Sequence, residues 1–450
     1  MLLIGIVKKE VFASGNINNF TLLIKYNKKE ACNMYSRLQY YMLISILKRC
    51  YKFIPFYKNL LDSCGIKYTN IKSLKDINLL PFTEKTDLIN NYPFGSFATN
   101  IERIVRIHQS SGTHGIPKVI GYTRKDLKNW QNICSRILNK ANCSKTDIIQ
   151  IAFNYGLFTG GLGFHAGAEK LGLTVIPVSS NNTEKQISLL KDMQTSVLCC
   201  TPSYAVYLAQ TMKESNINFQ NLNLKKVILG AETLADNTRL QIENLLGVEV
   251  YNTYGLSEMY GPGVAFECQC HLGMHINEDY FFPEIIDPKT LRKLGEGEIG
   301  ELVLTTLRHE AMPLLRYRTG DLASIYVDKC ACGCKLIKMS NPIGRIDDMF
   351  IVKGVNIFPT QIEDVLFAEI SNIIDYKIIV DKQNNKDTIL VEVELSNKKN
   401  ISKEKIEKIK KVLRNALCVK VDIAIIDVLQ NSKDKTTKNK SNHLMDKRKI

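Results

Sequence analysis

The chain is 450 residues long, 45% hydrophobic, with a formal charge of +15 and 13 cysteines. That length predicts two or three domains, and no apolar run reaches the roughly 18–20 residues that a membrane span needs. Lys8 and Lys9 follow the short apolar start in the wrong order for a secretory signal, so a cytoplasmic protein is expected, its thiols reduced or metal-bound. No arginine-rich helix with interleaved aromatics accompanies the charge, which argues against nucleic acid and suits an anionic small molecule.

Residues 1–33 have no clear partner downstream and read as an N-terminal extension. The spacing of Leu38, Met42, Leu43, Ile46 and Leu47 predicts a helix that ends at Pro55. Two short helices are expected around Leu80-Pro-Phe82, the second opened by Thr83 and Glu84. Two β-like runs, 101–107 and 119–123, flank Ser110-Ser-Gly-Thr-His-Gly-Ile-Pro-Lys118. Backbone N–H, hydroxyl and lysine groups there suit a polyphosphate, while a Ser/Gly-rich surface hairpin is the bland reading; the residues alone leave both open. It is not a Walker A loop, because Pro117 stands where the second glycine belongs.

A helix over 123–139 comes next, and from Asp147 to Thr253 short apolar strands alternate with helices. That alternation predicts a layered, largely parallel α/β sheet. Ligands of such sheets sit at the carboxyl ends of the strands, which singles out residues 155–161, 201–203, 231–232 and 254–258. Residues 295–307 read as a turn and an exposed antiparallel strand. After Gly344-Arg-Ile-Asp-Asp348 the elements form a compact α+β unit, so a domain boundary is placed at about 343–348.

Taken in order, Ser110–Lys118, Tyr254-Gly-Leu-Ser-Glu258, Tyr317-Arg-Thr-Gly-Asp321 and Gly344-Arg-Ile-Asp-Asp-Met349 followed by Lys353-Gly-Val-Asn356 resemble the motifs of the adenylate-forming enzymes. Leu80-Pro-Phe-Thr-Glu-Lys85, Asn91-Tyr-Pro-Phe-Gly95, Gly156-Leu-Phe-Thr-Gly-Gly-Leu-Gly163 and Gly261-Pro-Gly-Val-Ala-Phe-Glu-Cys268 are similar to the phenylacetate–CoA ligase family in particular. The resemblance runs from about residue 34 to the C-terminus. It implies a large layered α/β N-terminal domain, 34–343, and a small mobile α+β C-terminal domain, 344–450. It also implies the reaction. An acid attacks the α-phosphate of ATP to give an acyl-adenylate and pyrophosphate, and CoA then displaces AMP. An aryl or arylacetic acid such as phenylacetate is the expected substrate, and a homodimer the expected assembly. Alternatives are delivery to a carrier protein or a cofactor hydroxyl, or a degenerate relative that only binds nucleotide.

The resemblance also distributes roles. Ser110, Ser111, Gly112, Thr113, Gly115 and Lys118 would hold phosphates, and Glu258 would place Mg²⁺. Ala231, Glu232, Tyr254 and Gly255 would line the nucleotide, Asp321 would take the ribose hydroxyls, and Arg345 would pair with ribose or phosphate. Asp347 matches the hinge, and Lys440 the adenylation lysine, although Asn439 stands where the family has glycine. Tyr155, Phe158, Gly161, Ala231 and Tyr254 would form a flat acid pocket, unless Tyr155 and Phe158 are core. His114 and Ile116 depart from the family's phosphate loop.

A second cluster stands apart from these. Cys268, Cys270, His271 and His275 lie in one segment, and Cys330, Cys332 and Cys334 in another. Cys268, His275, Cys330 and Cys332 are the favoured ligands of a closed, structural Zn²⁺ site, with Cys270 and Cys334 as spares and free thiols as the alternative.

Overall fold

The computed structural model describes residues 28–110, 117–180, 182–352, 355–370, 373–383, 386–395, 401–417, 419–426 and 443–449. The chain divides into two compact units, residues 1–81 and 82–450.

In the first unit, α1 (Lys28–Phe53) is followed by α2 (Pro55–Ser63). α1 ends just before Pro55, as expected, and Pro55 has a second role. It opens α2 at the first helical position, where its missing N–H costs nothing and its fixed φ already suits the helix. Leu43, Leu47, Ile54 and Leu61 are buried, and Tyr40 donates to the carbonyl of Ile71 at 3.1 Å.

In the second unit, α3 (Lys85–Asn90) starts two residues later than expected. The Glu84 N–H bonds Asp87 Oδ2 at 2.7 Å, whereas Thr83 is withdrawn into a sheet. The hairpin of β1 (Arg106–Gln109) and β2 (Val119–Tyr122) leads into α4 (Arg124–Lys140). Thr123 caps α4: its hydroxyl accepts from the Asp126 N–H at 3.2 Å, and Asp126 Oδ2 accepts from the Thr123 N–H at 3.0 Å.

The predicted alternation then appears: β3 (Ile148–Ile151), α5 (Gly160–Leu171), β4 (Thr174–Ile176), α6 (Thr183–Asp192), β5 (Val197–Cys200), α7 (Pro202–Glu214), β6 (Lys226–Leu229), α8 (Asp236–Leu246) and β7 (Glu249–Tyr254). These five strands pair in parallel in the order β4-β3-β5-β6-β7. β5 is buried at every position, as a strand covered on both faces must be. Antiparallel pairing by β8 (Ala265–Phe266), β9 (Met274–Ile276), β13 (Ile325–Tyr326) and β14 (Lys338–Met339) extends the sheet to nine strands.

A second sheet has the order β10-β11-β12-β15, formed by β10 (Phe281–Ile286), β11 (Gly300–Thr306), β12 (Tyr317–Ala323) and β15 (Gly344–Arg345). The expectation of an exposed strand here is corrected: β11 is central and buried at all seven positions. Its polar residues are satisfied by partners outside the strand. Arg318 bonds Glu301 at 2.7 Å, the Arg316 N–H bonds Thr305 Oγ1 at 2.9 Å, and the Leu314 N–H bonds Thr306 Oγ1 at 2.8 Å.

The remaining elements are β16 (Phe350–Val352), β17 (Val355–Ile357), α9 (Pro359–Glu369), β18 (Ile373–Gln383), β19 (Lys386–Leu395), α10 (Lys403–Leu417), β20 (Asp422–Ile426) and β21 (Leu444–Asp446). They enclose a separate apolar core that includes Phe350, Ile362, Ile378, Val391 and Leu413. Among the described residues, no helix is long and apolar enough to cross a membrane.

Candidate active site

Strand period gives the site its wall. Tyr317, Thr319 and Asp321 alternate along β12 and share its buried face, while Arg318 and Gly320 lie on the other. Tyr254 ends β7, and its hydroxyl donates to Asp321 Oδ2 at 2.5 Å. The register of β12 on β15 sets Arg345 opposite Asp321, and Arg345 Nη1 donates to Oδ1 at 3.0 Å. Gly320, at φ +76°, keeps this edge open. A Cβ there would stand 3.4 Å from Arg345 Nη2 and 3.7 Å from Asp347 Oδ2, in a backbone conformation that L-residues avoid.

Beside this chain of bonds lies a second. Glu258 is buried and ion-paired with Lys118, and the Tyr317 hydroxyl donates to the same oxygen, Oε1, at 3.0 Å. Burial alone would raise the carboxyl's pKa, but Lys118, with help from Tyr317, outweighs it and holds Glu258 below the usual range. Tyr254 and Tyr317 are pushed well above the usual phenol value, first by burial and then by Asp321 and Glu258 respectively, so both stay protonated donors. The loop holding Glu258 is fixed from outside by Tyr122, whose hydroxyl donates to the Ser257 carbonyl at 3.2 Å.

The other expected residues fall around this wall. Ser110 and Lys118 flank the segment expected to hold phosphates, with the Ser110 N–H bonding the Lys118 carbonyl at 3.0 Å. Ser111, Gly112, Thr113, His114, Gly115 and Ile116 lie outside the described residues, as does Lys440. Ala231 adopts φ +70° after β6, and Glu232 accepts from the Ser203 N–H and hydroxyl at the start of α7, at 3.1 and 2.9 Å. Gly255 is packed so closely that a Cβ would lie 2.8 Å from the Pro262 backbone. Tyr155, Phe158 and Gly161 follow β3; a Cβ on Gly161 would lie 3.3 Å from the Tyr155 ring, and one on Gly160 2.7 Å from the Phe158 ring. The Tyr155 hydroxyl bonds His165 Nδ1 at 3.1 Å, and His165 Nε2 meets Glu169 at 3.0 Å.

The sequence reading did not assign Tyr317 a site role, although alternation with Asp321 inside one quoted motif was the signal. It also gave none to Lys85, whose ammonium lies 2.5 Å from Asp347 Oδ2.

The thiols and imidazole converge elsewhere. One ligand atom from each of Cys268, His275, Cys330 and Cys332 lies within 4.8 Å of the others. Cys268 Sγ is 3.5 Å from Cys330 Sγ, and Cys332 Sγ is 3.5 Å from His275 Nε2. Tetrahedral bonds of about 2.3 Å to sulfur and 2.0 Å to nitrogen imply separations near these. His275 turns Nδ1 toward the Leu336 carbonyl at 3.4 Å, which leaves Nε2 for the cluster. Neither Cys270 nor Cys334 joins the set; the Cys334 N–H instead meets Cys332 Sγ at 3.4 Å.

The sequence matches the AMP-binding enzyme family over residues 79–307 and the AMP-binding enzyme C-terminal domain over 354–448. It is 45% identical to the phenylacetate-coenzyme A ligase of Thermus thermophilus, covering 80% of this chain and 81% of that one. It is 43% identical to the Escherichia coli enzyme of the same name, covering 78% and 80%. The chain belongs to the phenylacetate–CoA ligase family of AMP-binding enzymes.

The fold agrees with the architecture of that superfamily, a large N-terminal α/β domain with a smaller C-terminal one. A crystal structure of 2-hydroxyisobutyryl-CoA ligase in the postadenylation state matches with a TM-score of 0.85 at 25% identity, over 92% of this chain and 90% of that one. The same enzyme in its thioesterification state matches with a TM-score of 0.67, over 91% and 89%.

Proposed function

We propose that the protein is an AMP-forming acid–CoA ligase acting on an aryl or arylacetic acid such as phenylacetate. The observation that carries this is the pair of bonded groups, Tyr254–Asp321–Arg345 and Lys118–Glu258–Tyr317, side by side at the carboxyl edge of the parallel sheet. Asp321 offers a fixed carboxylate to two vicinal hydroxyls, and Lys118 and Arg345 supply positive charge where a polyphosphate would lie. Glu258 is an ionised hard-oxygen donor that fits Mg²⁺, which when bound would draw charge off the phosphates as the acid attacks. The larger domain ends near residue 343 and the smaller one turns about Asp347. Resemblance to the postadenylation state supports reading this structure as the adenylation-side arrangement. Tyr155, Phe158 and Gly161 are read as the aryl pocket. The four converging thiol and imidazole groups fit a structural Zn²⁺ that would tie β9 to the 330–334 loop.

The test is ATP–pyrophosphate exchange over a panel of acids, followed by CoA-dependent release of AMP. Exchange that requires an aryl or arylacetic acid, with stoichiometric thioester once CoA is added, is the expected result. Exchange without CoA turnover would point to another acceptor, and no exchange with any acid would remove the enzyme reading.

A further inference from the structure

The Leu80–Lys85 motif takes no part in the chemistry above, yet the structure anchors it firmly. Thr83 is fully buried. Its N–H donates to the Arg316 carbonyl at 3.1 Å, its carbonyl accepts from the Arg318 N–H at 2.9 Å, and its hydroxyl donates to the Leu315 carbonyl at 2.6 Å. These bonds lay Thr83 parallel to Tyr317 on β12. β11 occupies the other edge of β12 at Tyr317, so Thr83 shares the edge on which β15 pairs further along, at Asp321 and Leu322. Lys85, two residues on, therefore projects toward the chain that leaves β15. Its ammonium lies 2.5 Å from Asp347 Oδ2, an oxygen that Arg345 Nη2 also approaches, at 3.6 Å.

We propose that Lys85 is a positioning residue that clamps the hinge aspartate, Asp347, and so favours the domain arrangement used for adenylation. The inference rests on the reading of Asp347 as the hinge. Lys85 belongs to the large domain through Thr83 and stays put when the small domain turns. A domain turn that rotates φ of Asp347 would swing its carboxylate off the ammonium, and the contact would then exist in one arrangement and not the other. Only such a differential contact can shift a two-state equilibrium. Neighbouring charges replace it only in part: Arg318 is committed to Glu84 and Glu301, at 2.9 and 2.7 Å, and Arg345, which is shared with Asp321, reaches Asp347 at the longer distance of 3.6 Å. The ion pair is partly exposed, with Lys85 at 29% and Asp347 at 58% of full side-chain exposure, so its bias is modest, about two- to fivefold.

The test separates the two half-reactions in Lys85→Met. Acid-dependent ATP–pyrophosphate exchange should fall about two- to fivefold, while conversion of supplied acyl-adenylate and CoA to thioester should hold or rise. Lys85→Arg should restore exchange. Parallel loss of both half-reactions, or no change in either, overturns the proposal. A readout independent of activity is hydrogen exchange of α8 and α9, which are bonded across the two domains by Asn237 Nδ2 and the Asp364 carbonyl at 3.0 Å. Lys85→Met should speed exchange there and leave β5 unchanged. If the wild type proves inactive with every acid, this readout still decides: unchanged exchange at α8 and α9 overturns the clamp.

Discussion

The carboxylate wall and the thiol cluster are both assembled from residues far apart in sequence, but they are completed in opposite ways. Each carboxylate in the wall already has a cation within the protein, Lys118 for Glu258 and Arg345 for Asp321, and a tyrosine donor besides. In the cluster, three thiols and an imidazole face one another with donor atoms as close as 3.5 Å. A charged carboxylate cannot be buried without a partner, so the wall is finished by folding alone. Facing thiols gain little from one another and much from a divalent cation. Breaking the wall should therefore cost chemistry first, and breaking the cluster should cost stability first.

The largest effect is expected from Glu258→Gln. Gln keeps the shape and can still accept from Tyr317, but it removes the charge facing Lys118. ATP–pyrophosphate exchange should fall about 10²- to 10³-fold. Retention of wild-type exchange would break the assignment of the wall.

The cluster makes the contrasting case. Purified protein should carry one equivalent of zinc per chain, measured by elemental analysis, and Cys330→Ser should lose it. Its thermal midpoint should drop on the order of 5 °C, while exchange well below that midpoint falls far less than in Glu258→Gln. A metal-free wild type with an unchanged midpoint in the variant would remove the cluster from the argument.

A smaller effect is expected at Asp321→Asn, which leaves Tyr254 and Arg345 a weaker acceptor. KM for ATP should rise about tenfold, with a lesser change in kcat. A change confined to kcat would move Asp321 from binding to the chemical step.

These two regions also differ in how well sequence exposes them. Glu258, Asp321 and Arg345 sit in short motifs whose spacing carries their meaning, and the four residues that the structure brings together are the four favoured among seven candidates, because a tight Cys-Ala-Cys turn can place two thiols and a nearby loop the others. What stayed hidden depends on partners outside the local segment. β11 looked exposed because Glu301, Thr305 and Thr306 are polar, and nothing local shows that Arg318, Arg316 and Leu314 satisfy them. Thr83 looked like a helix cap because its hydrogen bonds lie 232 residues away, at Leu315. Pro55 both follows the end of α1 and starts α2, and only the chain after it reveals the second role.

The smallest predicted effect concerns the contact between α8 and α9. Glu363 on α9 is half-buried, and its pKa is pushed up to about 7, first by loss of water around it and then by like charge from Glu232 and Asp364, against the pull of the Tyr376 hydroxyl, which donates at 2.8 Å. The large domain faces this carboxyl with Thr238 and Glu232, and Asp236 adds to the negative charge around Asp364. Behind Tyr376 stands His443, stacked at 4.1 Å and 3.5 Å from Asp375. The folded form thus keeps a proton that a free glutamate, at 4.5, has already released. Between pH about 4.5 and 7 the folded state holds more protons than the unfolded one, so stability falls as pH rises across that window and levels off above it. The full change is on the order of 2 kcal/mol, a few degrees at most in thermal midpoint for a chain of this size. Glu363→Gln should flatten that slope between pH 5 and 7, measured as the difference in midpoint between variant and wild type. Parallel curves would mean that the carboxyl is solvated through separation of α8 from α9, and that the two helices are joined more loosely than the Asn237–Asp364 bond suggests.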